Sequence, residues 1–147
     1  TELDPEGASG YRANADGYAL KLISLHQQIA RGIKEFPNRR IVTFHDAFDY
    51  FARDHGLEVI AVLQEVAGQS PSAGEMQEIV EAIRRTRAAG VFAEPQFSAS
   101  LARAISREAG VPMGFLDPAA TGQFAQDFYE KVMMKNLEEL KRVLGKK

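Results

Sequence analysis

Three titratable side chains stand where short apolar segments of this sequence end. His45 follows a β-branched segment, Glu94 closes a second apolar segment, and Asp117 follows a third. A neutral imidazole can ligate a metal ion or move a proton, and a carboxylate beside it can fix its tautomer. The three residues therefore predict either a metal site or a general acid–base site. A fourth segment leads into residues 64–71 without a titratable side chain at the exit itself.

Each histidine and carboxylate also has a purely structural interpretation. His45 could cap a helix or lie in a loop, and Glu94 could accept backbone N–H bonds at the start of the next helix. Asp117 precedes a proline, which is typical of a turn. His26 lies off the apolar stripe of its predicted helix, which indicates a solvated surface residue. His55 ends a predicted helix, where the helix dipole favours a protonated imidazole.

The elements that must position these side chains alternate between helical and strand patterns. Apolar residues spaced by three and four predict one helix from about Ala8 to Phe36, roughly 40 Å long. Four apolar or β-branched segments follow, each succeeded by a helical pattern; they span residues 40–44, 57–63, 90–94 and 111–116. This order predicts an α/β fold with a four-stranded parallel sheet and helices on both faces. Ligands bind beyond the carboxyl ends of the strands in such sheets.

Local signals predict how some of these elements begin. Asp46 is expected to cap a helix that ends at about His55. The nearly continuous apolar run from 57 to 63 is typical of a buried parallel strand. Ser72 and Glu75 match a capping box, which predicts the start of the third helix.

The composition of the 147-residue chain excludes several classes of function. Lys and Arg total 18 against 20 Asp and Glu, so no basic surface for nucleic acid is predicted. The chain has no Cys, which rules out thiolate chemistry, a Cys-based zinc cage and disulfides. It lacks a Gly-rich phosphate loop, a G-x-S-x-G elbow and an H-E-x-x-H pair. No apolar run approaches the ~20 residues of a membrane-spanning helix.

Five motifs give the sequence a family resemblance. The run I-V-T-F-H-D-A-F-D-Y-F with a following G-L, together with V-F-A-E-P-Q-F, L-D-P, Y-E-K-V-M-M-K-N-L and Y-R-A-N-A, resembles the zinc-binding solute-binding proteins of ABC transporters, the ZnuA/TroA-like group (cluster A-I). The motifs stand at residues 41–51 with 56–57, 91–97, 116–118, 129–137 and 11–15. They occur in the family's order along nearly the whole chain.

The resemblance implies one lobe of a two-lobed protein. Residues 1–37 would be the long helix that links the lobes, and residues 38–147 the C-terminal α/β lobe. In this family one metal ion lies between the lobes, and the N-terminal lobe supplies two His ligands that have no counterpart here. The C-terminal lobe supplies a His or Glu after its first strand, which is His45 in this sequence. Glu94 is expected to accept a hydrogen bond from the His45 ring and not to touch the metal.

The resemblance also bears on which metal is bound. Manganese-type members carry an Asp in the loop after the last strand, which would fall near Ala119 or Ala120. This sequence has no acid there. A site rich in imidazole suits Zn²⁺, whereas Mn²⁺ favours oxygen ligands. We therefore expect Zn²⁺, with Mn²⁺ less favoured.

The function implied is capture of a divalent transition metal outside the cytoplasm and its delivery to an ABC transporter permease. The expected partners are the metal ion, the missing N-terminal lobe and the permease, with no nucleic acid. The expected location is periplasmic or otherwise extracytoplasmic, with lipid anchoring of the full-length protein left open. No enzymatic activity is expected. Two alternatives stay open: a small α/β enzyme with His45 as general base, oriented by Glu94 or Asp117, and an adhesin-like module that binds protein.

Overall fold

The apolar stripe near the start of the sequence forms one 27-residue helix, α1 (Ala8–Lys34), about 40 Å long. A computed structural model describes residues 2–64, 71–123 and 125–145. After α1, strands and helices alternate in the predicted order. The strands are β1 (Arg40–Thr43), β2 (Glu58–Val62), β3 (Gly90–Ala93) and β4 (Met113–Phe115); the further helices are α2 (Asp49–His55), α3 (Ala73–Thr86), α4 (Ser100–Ala109) and α5 (Phe128–Leu144).

The four strands form a parallel sheet in the order β2-β1-β3-β4. Val42 of β1 pairs with Val91 of β3, so the two strands lie side by side at the centre of the sheet. Their carboxyl ends therefore open at neighbouring points on one edge. The predicted α/β fold with a four-stranded parallel sheet is confirmed.

Each face of the sheet is covered by helices over its own apolar core. Ile41 and Phe92 point into a core shared with α1, α2 and α5. Val42 and Val91, their neighbours in sequence, point into a second core shared with α3 and α4. The alternation of side chains along a strand produces both cores from adjacent residues. This two-sided burial holds β1 and β3 rigidly beneath the residues that follow them.

Only the carboxyl half of α1 is buried. Leu25, Ile29 and Ile33 are buried against the lobe. In the first half of the helix, Tyr11 and Tyr18 leave large apolar surfaces exposed. The apolar stripe predicted for α1 is therefore buried along only part of the helix. None of the described helices is long and apolar enough to cross a membrane.

Two of the local predictions differ from the structure. Asp46 does not cap α2: it starts a short 3₁₀ turn, Asp46–Phe48, and His45 stands before that turn in an extended conformation. The strand β2 is not fully buried, because it lies at the edge of the sheet and has a strand on one side only. A local apolar run cannot distinguish an edge strand from a central one.

The predicted capping box at the start of α3 is confirmed. The backbone N–H of Glu75 donates to Ser72 Oγ at 3.3 Å, and the backbone N–H of Ser72 donates to Glu75 Oε2 at 2.7 Å. These bonds satisfy two donors at the helix N-terminus. They also hold the pKa of Glu75 below its ordinary value, the hydrogen bond with Ser72 being the main cause.

Gly90 at the start of β3 offers a test of how closely α5 packs on the sheet. A Cβ atom there would collide with Val143 Cγ1 of α5 and lie 3.1 Å from the backbone oxygen of Pro112. We expect Gly90→Ala to lower the free energy of unfolding by about 1–3 kcal/mol, because overpacking displaces neighbouring atoms. Urea denaturation followed by circular dichroism measures the change.

Gly10→Ala is the matched control for that substitution. No described atom lies within 4 Å of a Cβ at position 10, on the exposed part of α1. Alanine should stabilise that helix position by up to about 1 kcal/mol. Equal unfolding midpoints for Gly90→Ala and the unmodified chain would contradict the close packing of α5.

Candidate metal centre

His45 and Glu94 meet at the carboxyl edge of the sheet. His45 follows β1 after one residue, and Glu94 directly follows the neighbouring strand β3. The ring Nδ1 of His45 lies 2.9 Å from Glu94 Oε1, and the backbone N–H of His45 donates to the same oxygen at 3.2 Å. Only 13% of the His45 side chain and 3% of the Glu94 side chain are exposed. Two residues 49 positions apart are thus fixed to each other away from bulk water.

The second oxygen of Glu94 is also held. Gln96 Nε2 donates to Glu94 Oε2 at 2.7 Å. Glu94 therefore has a partner at each oxygen, and a carboxylate can only accept hydrogen bonds. The proton between Glu94 and His45 must then be carried by Nδ1 of His45. In the neutral imidazole, this arrangement leaves the other ring nitrogen, Nε2, with an available lone pair.

The available nitrogen of His45 is an unusual atom. Nε2 is buried and has no hydrogen-bond partner among the described residues. The rings of Phe44 and Phe97 stand edge-on to the imidazole, with centroids 4.9 and 4.7 Å from its centroid. A buried polar atom without a partner costs free energy. An oriented, neutral imidazole with one unused nitrogen is the form in which histidine binds a metal ion.

Asp117 does not join this pair; its side chain forms a turn. Asp117 Oδ1 accepts a hydrogen bond from the backbone N–H of Ala119 at 2.8 Å. The Asn136 side chain of α5 holds the backbone of Asp117 from both sides, through one donated and one accepted bond of 2.8 Å each. The turn interpretation of Asp117 accounts for all of these contacts. Ala119 adopts a left-handed conformation (φ 59°) within the same turn.

Sequence reasoning singled out His45 and Glu94 but missed Gln96, which holds Glu94, and Asn136, which holds the Asp117 turn. Gln96 and Asn136 are polar side chains whose contacts depend on the tertiary structure. The available signal was their position inside two of the five motifs, V-F-A-E-P-Q-F and Y-E-K-V-M-M-K-N-L. Of the predicted loop at 64–71, residues 65–70 lie outside the described residues.

The site offers one histidine and no complete metal shell. In residues 2–64, 71–123 and 125–145, no three His, Cys, Asp or Glu side chains are grouped so that they could hold a metal ion. The other two histidines, His26 and His55, contact each other instead. A zinc ion at His45 would need further ligands from outside the described part of this chain.

A match to a family model establishes the protein family to which this chain is related. The model of ZnuA, the periplasmic component A of the zinc-uptake complex, matches residues 1–143. The chain belongs to the ZnuA family. His45 and Glu94 both lie within the matched residues.

Curated relatives of the ZnuA-family chain are much longer than it is. It is 33% identical over 142 residues to the zinc-binding lipoprotein AdcA of Streptococcus pneumoniae, covering 94% of this chain and 28% of that protein. It is 31% identical over 146 residues to the high-affinity zinc uptake system protein ZnuA of Brucella suis, covering 99% of this chain and 44% of that protein. The chain thus spans less than half the length of these two relatives.

Solved structures show the same partial coverage. The Mn²⁺ complex of FpvC, a solute-binding protein of Pseudomonas aeruginosa, matches with a TM-score of 0.82 and 30% identity, over 98% of this chain and 55% of that one. A crystal structure of ZnuA matches with a TM-score of 0.80 and 31% identity, over 97% and 51%. The laminin-binding adhesin Lmb of Streptococcus agalactiae matches with a TM-score of 0.86 and 25% identity, over 97% and 54%.

Replacing Glu94 should release the His45 tautomer. In the unmodified chain with its histidines neutral, we expect nitrogen-15 NMR to show Nδ1 of His45 protonated and Nε2 unprotonated. Glu94→Met removes the acceptor without a large change in volume, so the ring should populate both tautomers. Glu108→Met is the control, because that carboxylate is exposed on α4. The same His45 spectrum in Glu94→Met and the unmodified chain would contradict the role of the carboxylate.

Proposed function

We propose that this chain is the metal-receiving C-terminal lobe of an extracytoplasmic binding protein that captures zinc and delivers it to an ABC transporter permease. His45 is the residue of this lobe that ligates the metal through Nε2. Glu94 does not touch the metal; it holds the ring in the competent tautomer. The function is transport and not catalysis.

One observation carries the proposal: the buried, unpartnered Nε2 of His45 on a ring whose Nδ1 is held by Glu94. The same pair could orient a general base. A base, however, needs a substrate group or nucleophile beside it, and metal capture explains why the unused nitrogen is fixed and neutral. Oxygen partners of this kind commonly contribute about 10–100-fold to the metal affinity of a histidine site.

The proposal places the remaining ligands on a second lobe. The chain covers only 51–55% of the two-lobed relatives FpvC and ZnuA, and its resemblance to the family implies two further histidines on the other lobe. The exposed first half of α1, with Tyr11, Tyr18 and Leu20 on its surface, is the segment that would join the lobes. Both the lipoprotein AdcA and the uptake protein ZnuA are zinc proteins by name, which supports zinc as the cargo and an extracytoplasmic location.

A second candidate function is protein binding. The exposed apolar residues of α1 would suit a protein partner, and the similar structure of Lmb belongs to a laminin-binding adhesin.

Zinc binding at His45 should be weak in this chain alone. One imidazole leaves most of a tetrahedral shell to water, so titration calorimetry should detect no tight stoichiometric site. The full-length protein should bind zinc tightly and lose most of that affinity in His45→Ala. His45→Gln keeps a polar side chain at this position without an imidazole. It should lose zinc affinity as His45→Ala does, which would assign the loss to the missing ring nitrogen. Tight binding by this chain alone would refute the need for a second lobe.

The loop after β4 should set the preference of the full-length protein for zinc over manganese. Ala120 is exposed beyond the Asp117 turn, near the position where manganese-type relatives carry an acid. We expect Ala120→Asp to reduce the zinc preference by adding a hard oxygen ligand. Ala120→Asn is the control of equal shape without the charge. Competition between the two metals in a chelator buffer measures the ratio, and stronger manganese binding by the unmodified protein would contradict the zinc assignment.

A further inference from the structure

A second pair of histidines lies between two helices, apart from the His45–Glu94 pair. His26 projects from the buried half of α1, and His55 is the last residue of α2. Their ring centroids are 4.7 Å apart and the rings are tilted by 36°. Phe51 packs against the other side of His55, with a centroid distance of 4.6 Å. The mutual contact is not accounted for by the His45 site.

The separation of the two rings suits a shared metal ion. Two imidazoles on one zinc, with Zn–N bonds of about 2.0–2.1 Å and a tetrahedral angle, place their ring centres roughly 5 Å apart. The observed 4.7 Å is close to that distance. His55 Nδ1 is also buried without a hydrogen-bond partner among the described residues. To share one ion, each of the two rings would have to turn one nitrogen toward a common point.

The surroundings of the pair disfavour the protonated form of His55 that its place at a helix C-terminus predicted. Burial lowers the pKa of His55, and the neighbouring His26 lowers it further, while Asp54 opposes the shift. The imidazole of His55 is thus held in the neutral form that a metal needs. His26, His55 and Asp54 line an open cavity of about 610 Å³ between α1 and α2. That space leaves room for water to complete a coordination shell.

We propose that His26 and His55 form a second site, weaker than one with three protein ligands, for a borderline transition-metal dication such as Zn²⁺, Ni²⁺ or Cu²⁺. The two imidazoles supply the protein ligands, and water supplies the rest. Since no three potential ligands are grouped among the described residues, the affinity is lower than that of a three-histidine site. An ion here would tie α1 to α2, the helix that follows the His45 turn.

The three histidines of the chain make a direct test possible. In a His45→Ala chain, nitrogen-15 NMR should show only the His26 and His55 rings, and both should shift with one common zinc titration curve. His26→Gln in that background should move the response of His55 to higher zinc concentrations, and His55→Phe should do the same to the response of His26. Each substitution should weaken zinc binding by at least about tenfold, because the second ligand acts at high effective concentration.

Two outcomes would overturn the proposal. A His26 response that is unchanged in His55→Phe would indicate a lone surface histidine. No response of either ring at a large molar excess of zinc would leave the pair as an aromatic stack only. His55→Phe retains the aromatic packing on Phe51, and His26 is exposed, so at least His26→Gln should fold normally. Because His45 is absent throughout, the result does not depend on metal binding at the first site.

Discussion

The candidate site depends on one carboxylate. Glu94 is nearly inaccessible to solvent, yet its oxygens are satisfied by the backbone and ring of His45 and by Gln96. A buried carboxylate without such partners would be expensive. The interaction also links the carboxyl ends of the two central strands. The Glu94 carboxylate therefore both connects β1 to β3 and selects the tautomer of His45.

The parallel sheet makes this interaction possible. His45 and Glu94 are 49 residues apart in sequence and become neighbours only because β1 and β3 pair directly. The two cores, one on each face, restrict both strands through adjacent residues such as Ile41 and Val42. The geometry at the edge is therefore supported by the most buried part of the molecule, as a preorganised ligand requires.

Much of the fold could be predicted from periodicity. The alternation of helices and strands, the capping box at Ser72 and the location of His45 and Glu94 at strand exits all follow from local patterns. The edge position of β2 could not be predicted, because strand order depends on pairings that no short segment encodes. The 3₁₀ turn at Asp46 could not be predicted either, because a helix cap and the start of a 3₁₀ turn have similar sequence requirements. The contacts of Gln96, of Phe97 and of the His26–His55 pair depend on tertiary packing and side-chain rotamers, for which the sequence carries no periodic signal.

The bond between Asn136 and the turn at Asp117 changes how a motif in this family should be understood. Asn136 is buried, and at residue 117 it hydrogen-bonds the main chain and not the Asp117 side chain. The asparagine therefore specifies the path of a loop from a helix 19 residues away, whatever side chain occupies position 117. The L-D-P motif and the N-L of the last helix therefore describe one structural feature, a loop whose main chain is held by a helix side chain. Motifs shared by such lobes therefore reflect the conformation of the scaffold as well as the bound metal. A distant protein could keep this loop contact while binding a different ligand.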